Sequence, residues 1–251
     1  MNDIPATMRG TGIGAPVRRM EDKRFLRGQG RYVDDLAGAD TAQLVMLRSP
    51  HASARITRLD VSKARSMPGV LLVLTPEDIE ELGVLRCITP RLQRNGSPLA
   101  QTPWRMLAMG QVRYVGDAVA AVIATSRAAA QDAAEAINVE YETLPAVTDV
   151  AEAIKPEAPR LWPDLAPENE SVLFRLGDAA AVEAAFARAA HVTRFDFRIT
   201  RVSANPMEPR NALTSYDPVE ERYTLTTGTQ LPHVMRNEIA EYALKIPTNR
   251  L

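Results

Sequence analysis

The residue that is the clearest candidate for a functional role is Gln230, which stands in the sequence Thr-Gln-Leu-Pro-His at residues 229–233. Residues 222–227 are predicted to form a strand, and Pro232 is a residue type that often occupies the first helical turn. Gln230 is therefore predicted to lie where a strand ends and a helix begins. At such a place a side chain and free backbone N–H groups can meet an anionic group. The alternative is that Gln230 only caps the helix that starts at Pro232.

Glu208 is the second candidate, because Pro206 and Pro209 restrict the backbone on both sides of it. A carboxylate held in this way could be catalytic. We favour a structural role, in which Glu208 forms a buried ion pair with Arg210 or Arg201.

The remaining candidates do not form a recognisable site. His51, His191 and His233 have no metal-ligand spacing to any partner, so each is interpreted as a packing, capping or surface residue. Gly-Ile-Gly at residues 12–14 lacks the preceding strand and third glycine of a nucleotide loop. Cys87 is the single cysteine, which excludes an internal disulfide and a cysteine-based metal cluster within the chain. No catalytic residue and no metal ligand is predicted.

Composition indicates an ordinary globular protein, with 251 residues, 45% hydrophobic and 24% charged. The net charge of −1 and the absence of a basic run argue against nucleic-acid binding. The longest wholly apolar run, residues 118–124, is too short for a transmembrane segment. Residues 1–14 contain no apolar core of the kind a secretion signal has, so a cytoplasmic location is expected.

Residues 112–145 are the stretch around which the first part of the chain is organised. A strand is predicted at residues 112–115, followed by a turn at Gly116-Asp117 and a strand buried on both faces at residues 118–124. Ser126 is expected to cap a helix with a narrow stripe of alanines, which can lie close to a sheet. A further strand runs from Val139 until Pro145 stops it.

Further short elements alternate with these along the chain. Strands are predicted at residues 42–48 and 54–59, and a buried strand at residues 70–74. Thr75 is expected to start a helix, and Trp104 to pin the irregular residues 83–109 to the core. The prediction is an α+β fold.

The second part of the chain follows a proline-rich linker over residues 147–176, which is expected to lie along a surface. Asp178 can cap a strong helix. A long strand is predicted at residues 191–200, then a hairpin around Asp217-Pro218 and the helix that starts at Pro232.

Three stretches carry a resemblance to one family. Val-Arg-Tyr-Val-Gly-Asp-Ala-Val-Ala-Ala-Val at residues 112–122, with Val-Glu-Tyr-Glu-Thr-Leu-Pro-Ala-Val at residues 139–147, resembles the α/β-hammerhead domain. That domain belongs to the molybdenum-binding large subunits of the xanthine dehydrogenase, aldehyde oxidase and aerobic carbon monoxide dehydrogenase family. Residues 16–35 resemble the opening segment of the carbon monoxide dehydrogenase-like branch. Residues 205–210 and 227–236 resemble the start of the first molybdenum-cofactor domain.

The resemblance implies a domain order for this chain. Residues 1–20 would be an N-terminal arm, and residues 21–146 an α/β-hammerhead domain. After the linker at residues 147–176, residues 177–251 would be the beginning of an α+β molybdopterin-binding domain that is incomplete in this sequence.

The resemblance also implies a chemistry. In the family, the glutamine of the Thr-Gln-x-Pro-His sequence, here Gln230, donates a hydrogen bond from its amide to a molybdenum oxo ligand. The family cofactor is a molybdenum-pterin, expected here as molybdopterin cytosine dinucleotide. FAD and 2Fe-2S centres are carried by a medium subunit and an iron–sulfur small subunit. The family hydroxylates an electron-poor carbon, or oxidises CO, with water as the oxygen source.

The chain departs from the family because the glycine-rich cofactor loops, the substrate loop and the catalytic glutamate are absent. It is therefore expected to be a truncated copy or one piece of a split large subunit, inactive without the remainder, and its substrate is not assigned. The alternative is a non-enzymatic docking or structural module for subunit assembly.

Overall fold

The computed structural model describes residues 19–88, 92–93, 95–200 and 202–251. Residues 12–14 and Arg201 therefore lie outside the described residues. In the described part of the chain the strands are β1 (Gln43–Arg48), β2 (Ala54–Asp60), β3 (Val70–Leu74), β4 (Gln111–Val112), β5 (Ala118–Ala124), β6 (Asn138–Thr143), β7 (Ala212–Asp217) and β8 (Arg222–Thr227). The α-helices are α1 (Asp22–Phe25), α2 (Ser62–Arg65), α3 (Arg127–Glu135), α4 (Val150–Ala153), α5 (Ala179–Arg188) and α6 (Pro232–Asn237). Short 3-10 helices cover Val33–Leu36, Glu77–Ile79 and Thr248–Arg250, and a π-helix covers Glu238–Leu244.

Strand β5 is the centre of a three-stranded antiparallel sheet with the order β1–β5–β3. Ala120 and Val122 of β5 belong to the apolar cluster beneath α3. Val119, which points to the opposite face, packs with Val112 in a second cluster. The prediction of a strand buried on both faces is therefore confirmed.

Helix α3 covers this sheet through small side chains, as predicted. The Ser126 hydroxyl accepts a hydrogen bond from the Ala129 N–H at 3.2 Å, which caps the helix. Ala130, Ala133 and Ala134 are buried. Because alanine ends at Cβ, the helix can lie close to the strands beneath it.

A second sheet has the order β4–β2–β6 and is also antiparallel. The strand expected at residues 112–115 is shorter than predicted and ends at Val112. The carboxylate of Asp117 accepts a hydrogen bond from the Arg113 N–H at 3.1 Å, and Gly116 has a φ of 94°. These features turn the chain away from β2 immediately after Val112.

Two expectations about burial are wrong. β3 is an edge strand, so Leu71 and Leu72 are 59% and 47% exposed rather than enclosed. Trp104 is 68% exposed and lines an open cleft. Its backbone carbonyl accepts a hydrogen bond from the Leu85 N–H at 3.1 Å, and the segment is attached to the core through the buried residues Leu107 and Ala108.

The proline-rich segment lies along the first part of the chain, as expected. The guanidinium of Arg113 stands 3.6 Å from the ring centre of Trp162, and its Nε donates to the Leu161 carbonyl at 3.0 Å. Within the segment, the Asn169 amide donates to the carbonyls of Ala153 and Pro159. The segment is thus held by stacking and backbone hydrogen bonds.

The C-terminal elements are less enclosed. The Asp178 carboxylate caps α5 through the Ala181 N–H, as predicted. The strand predicted at residues 191–200 does not form, because no neighbouring strand among the described residues pairs with this segment. Its alternating side chains Phe195 and Phe197 are 80% and 70% exposed. β7 and β8 form the predicted hairpin.

Among the described residues, none of the helices combines the length and the apolar composition required to cross a bilayer.

Candidate functional site

The turn between β8 and α6 brings Gln230 to the surface. β8 ends at Thr227, whose hydroxyl donates to the Asn211 carbonyl at 2.7 Å and so secures the end of the hairpin. Pro232 is the first residue of α6, where its lack of an N–H has no cost. Gln230 lies between these two anchors, which confirms its predicted position between a strand and a helix.

Gln230 does not cap the helix, so that alternative is wrong. The Leu231 N–H, which lies just before the helix, donates to the Thr229 hydroxyl at 3.2 Å, and no described side chain caps the N-terminus of α6. The side chain of Gln230 is exposed and makes no hydrogen bond with another described residue. Its amide therefore keeps its donors and acceptor for a group outside the described chain.

A second amide donor lies at the same end of the hairpin. The Nδ2 of Asn211 is buried and finds no acceptor among the described residues. An unmatched buried donor costs free energy unless an acceptor reaches it. Gly228 has open space around the position a Cβ would occupy. The exposed amide of Gln230, two residues from this open space, suits a ligand rich in oxygen acceptors, so it fits an oxo-bearing cofactor, whereas the Asn211 Nδ2 is covered by protein atoms.

The helix that follows Gln230 is fastened to the hammerhead part of the chain. α6 continues into the π-helix Glu238–Leu244 without a break. The Gly83 N–H donates to the Ala243 carbonyl at 2.8 Å, and Lys245 Nζ donates to the Glu81 carbonyl at 2.5 Å. This interdomain clamp, comprising residues 81–86 and 238–245, was not foreseen, because its partners are distant in sequence.

Two arginine contacts complete the clamp. Arg86 forms an ion pair with Glu238 at 2.9 Å, and its guanidinium carbon lies 3.1 Å from the ring centre of Tyr242. The hydrogen bond from Arg86 to Glu238 raises the pKa of the guanidinium above its usual value. Arg86 therefore remains charged throughout the accessible pH range.

Glu208 has a structural contact, but a different one from that predicted. Its carboxylate accepts a hydrogen bond from the Val33 N–H at 3.2 Å, and no ion pair joins it to Arg210 among the described residues. The predicted pair with Arg210 is therefore wrong, while Arg201 lies outside the described residues. The contact ties the segment before β7 to the 3-10 helix at residues 33–36.

The three histidines have separate surroundings. His51 packs edge-on against the ring of Tyr141 at 4.8 Å between centroids, and His191 contacts the Thr193 hydroxyl. Among the described residues there is no cluster of histidine, cysteine or acidic side chains that could hold a metal ion. His233 is exposed at the start of α6.

A large cleft of about 990 Å³ lies between the hammerhead part and the proline-rich segment. Arg113 and Tyr114 line it, and desolvation by burial lowers the pKa of Arg113 and raises the pKa of Tyr114. Gln230 is not among the lining residues. The sequence predicted no chemistry at residues 83–109, and the cleft forms only because the linker folds back over them.

Comparison with known proteins finds two family profiles. The one described as "Aldehyde oxidase and xanthine dehydrogenase, a/b hammerhead domain" matches residues 27–145. The one described as "Molybdopterin cofactor-binding domain" matches residues 164–251. The domain boundaries predicted from the sequence stay predictions, because these matches do not place the arm or the linker.

Curated relatives are similar over most of the chain. It is 35% identical over 240 residues to the carbon monoxide dehydrogenase large chain of Afipia carboxidovorans, covering 91% of this chain and 29% of that protein. It is 38% identical over 228 residues to the nicotine 6-hydroxylase large subunit of Paenarthrobacter nicotinovorans, covering 89% of this chain and 27% of that protein. The chain thus spans less than a third of the length of these relatives.

Solved structures have the same fold. Quinoline 2-oxidoreductase from Pseudomonas putida 86 matches with a TM-score of 0.78 and 38% identity, over 93% of this chain and 29% of that one. A Cu,Mo-CO dehydrogenase in its carbon monoxide reduced state matches with a TM-score of 0.79 and 33% identity, over 95% and 30%. The α+β fold, with a hammerhead domain followed by part of a molybdenum-cofactor domain, is therefore confirmed.

Proposed function

Because the chain belongs to the xanthine dehydrogenase, aldehyde oxidase and carbon monoxide dehydrogenase family of molybdenum-binding large subunits, as their amino-terminal part, we propose that it helps to hold a molybdenum-pterin through Gln230. The observation that carries this proposal is the exposed side-chain amide of Gln230, which has no hydrogen-bond partner among the described residues and does not cap the helix that follows it. The complete enzyme would be an oxidoreductase that hydroxylates an electron-poor carbon or oxidises CO, with water as the oxygen source. The substrate is not assigned.

The residues of this chain would position and stabilise the cofactor. Gln230 would donate an amide hydrogen to an oxygen acceptor of the cofactor, because its side chain is exposed. The cofactor, which we expect to be molybdopterin cytosine dinucleotide, supplies the oxidative chemistry when bound. No residue of this chain is assigned a catalytic role.

We propose that the chain works only with the remainder of the large subunit. The curated relatives named above are covered over 29% and 27% of their length, and the proposed cofactor site at Gln230 lies in the part that matches a cofactor-binding domain. FAD and 2Fe-2S centres would be carried by a medium subunit and an iron–sulfur small subunit. One relative is named as subunit gamma of a dehydrogenase complex, which supports such an assembly. A cytoplasmic location stays a prediction from sequence.

The test compares two glutamine substitutions in the assembled protein that contains this chain. Gln230→Leu removes the proposed donor, and Gln131→Leu is the matched control on the exposed face of α3. We expect Gln230→Leu to alter the Mo(V) electron paramagnetic resonance signal and to lower turnover by roughly 100-fold, the scale for losing one preorganised donor. Identical signals and rates in the two variants would refute the role of Gln230.

Metal analysis distinguishes the enzyme component from the alternative, a docking or structural module. Molybdenum at one equivalent, together with a complementary polypeptide, supports the enzyme component. A stably folded, metal-free 27.5 kDa monomer with no such polypeptide would favour the docking module instead.

A further inference from the structure

The interdomain clamp joins two parts of the chain that family profiles match separately. Residues 81–86 belong to the part matched as hammerhead, and residues 238–245 to the part matched as cofactor-binding. Their contacts include one backbone hydrogen bond, a hydrogen bond from the Lys245 side chain to a backbone carbonyl, an ion pair and a cation–aromatic contact. Gly83 and Ala243 contact each other through main-chain atoms, so this contact fixes the position of the helix in addition to stabilising it.

The clamped helix begins directly after the Gln230 turn. α6 and the π-helix form one continuous helical segment from Pro232 to Leu244. At the other end of the turn, Thr227 is held to Asn211 in the hairpin. Gln230 therefore lies between the hairpin and a helix whose C-terminal end contacts the hammerhead part of the chain.

Arg86 is the side chain on which the clamp depends most. Glu238 is only 14% exposed, and its Oε2 is buried without a hydrogen-bond partner among the described residues. Arg86 provides the opposite charge, and its guanidinium also covers the ring of Tyr242. Loss of Arg86 would leave a largely desolvated carboxylate without a counter-ion, so the π-helix would shift to hydrate it.

We propose that Arg86 is a positioning residue for Gln230. By holding Glu238 and Tyr242, it makes the hammerhead domain set the direction of α6 and therefore the place from which the Gln230 amide is presented. The catalytic relevance of this inference rests on the proposed function, whereas the mechanical link between Arg86 and the Gln230 turn does not.

The mechanical link is tested by hydrogen–deuterium exchange in the assembled protein. Arg86→Met is compared with Arg58→Met, which removes an exposed arginine of β2 that is paired with Asp60 on the same strand and with Glu140 on β6. We expect Arg86→Met to accelerate amide exchange roughly two- to tenfold across residues 229–246. Faster exchange confined to residues 238–246, or no difference from Arg58→Met, would overturn the proposal.

A double variant in which the two charges are exchanged distinguishes the positioning role from a general folding defect. Arg86→Glu should accelerate exchange as Arg86→Met does, and adding Glu238→Arg should restore slow exchange at residues 229–237. If Arg86 had only a local structural role, the double variant would not slow amide exchange at the Gln230 turn, which Arg86 does not contact. Failure of the double variant to slow exchange there, relative to Arg86→Glu alone, would contradict the positioning role.

The cofactor readout separates this proposal from the proposed function. We expect the Mo(V) signal to change in Arg86→Met as well as in Gln230→Leu. An unchanged signal in Gln230→Leu would refute the proposed function, while the exchange experiment would still decide the clamp. A changed signal in Gln230→Leu, with unaltered exchange at residues 229–237 in Arg86→Met, would refute the clamp alone.

Discussion

Replacement of Gly83 by alanine tests the clamp at its tightest point. A Cβ added to Gly83 would lie 1.6 Å from the carbonyl oxygen of Tyr242 and 2.8 Å from its carbonyl carbon. Both distances are below the 3.0 Å that real Cβ contacts essentially never undercut. Because the opposing atoms belong to the backbone, no side-chain rotation can relieve the clash.

The two segments must therefore separate in Gly83→Ala. Separation breaks the hydrogen bond from the Gly83 N–H to the Ala243 carbonyl and stretches the ion pair between Arg86 and Glu238. Overpacking typically costs about 1–3 kcal/mol, and a backbone hydrogen bond contributes about 1 kcal/mol. We expect the clamp to weaken by about 2–4 kcal/mol.

Hydrogen–deuterium exchange can measure this loss segment by segment. Exchange at residues 238–246 should accelerate strongly, while β5 should stay protected because its core contacts do not involve the clamp. Gly38→Ala is the control, since a Cβ there would meet only the Thr41 hydroxyl at 3.8 Å. Equal exchange at residues 238–246 in both variants would show that Gly83 does not approach the helix closely.

Three further substitutions test the hammerhead part. Val122→Ala removes fully buried apolar volume and should lower the free energy of unfolding by about 2 kcal/mol, measured by urea denaturation. Ser126→Ala removes the cap of α3 and should lower it by about 1 kcal/mol in the same assay. Asp78→Asn should be destabilising near neutral pH. Two hydrogen bonds from Thr75, mainly the one from its N–H and to a smaller extent the one from its hydroxyl, lower the pKa of Asp78 below its usual 3.8. Its stabilising contribution is therefore present above about pH 3.8 and lost as the pH falls through the folded-state pKa, so the difference in Tm from the unsubstituted protein should vanish in acid.

Each of these predictions has a matched control. Val219→Ala alters a side chain that is 90% exposed and should change stability by no more than about 0.5 kcal/mol. Ser66→Ala removes an exposed hydroxyl that bonds the Lys63 carbonyl instead of capping a helix N-terminus. Glu77→Gln neutralises an exposed neighbour of Asp78. These predictions are wrong if the stability change of any control equals that of its partner variant, or if the stability change in Asp78→Asn persists unchanged in acid.

Local features of this protein were determined by the sequence alone. The apolar run of β5 and the caps at Ser126 and Asp178 depend on residues within a few positions of each other. The position of Gln230 between a strand and a helix follows from the same short-range rules. These predictions succeeded because periodicity and capping are short-range physics.

Only the tertiary structure decided which distant partners meet. Arg86 and Glu238 are 152 residues apart, and Val33 and Glu208 are 175 apart, so no local pattern predicts either contact. The alternation at residues 191–200 predicted a strand that does not form, because a strand also needs a neighbour to share its hydrogen bonds. Pairing, clamping and cleft formation depend on which surfaces come together in the folded chain, and that information is not contained in any single stretch of residues.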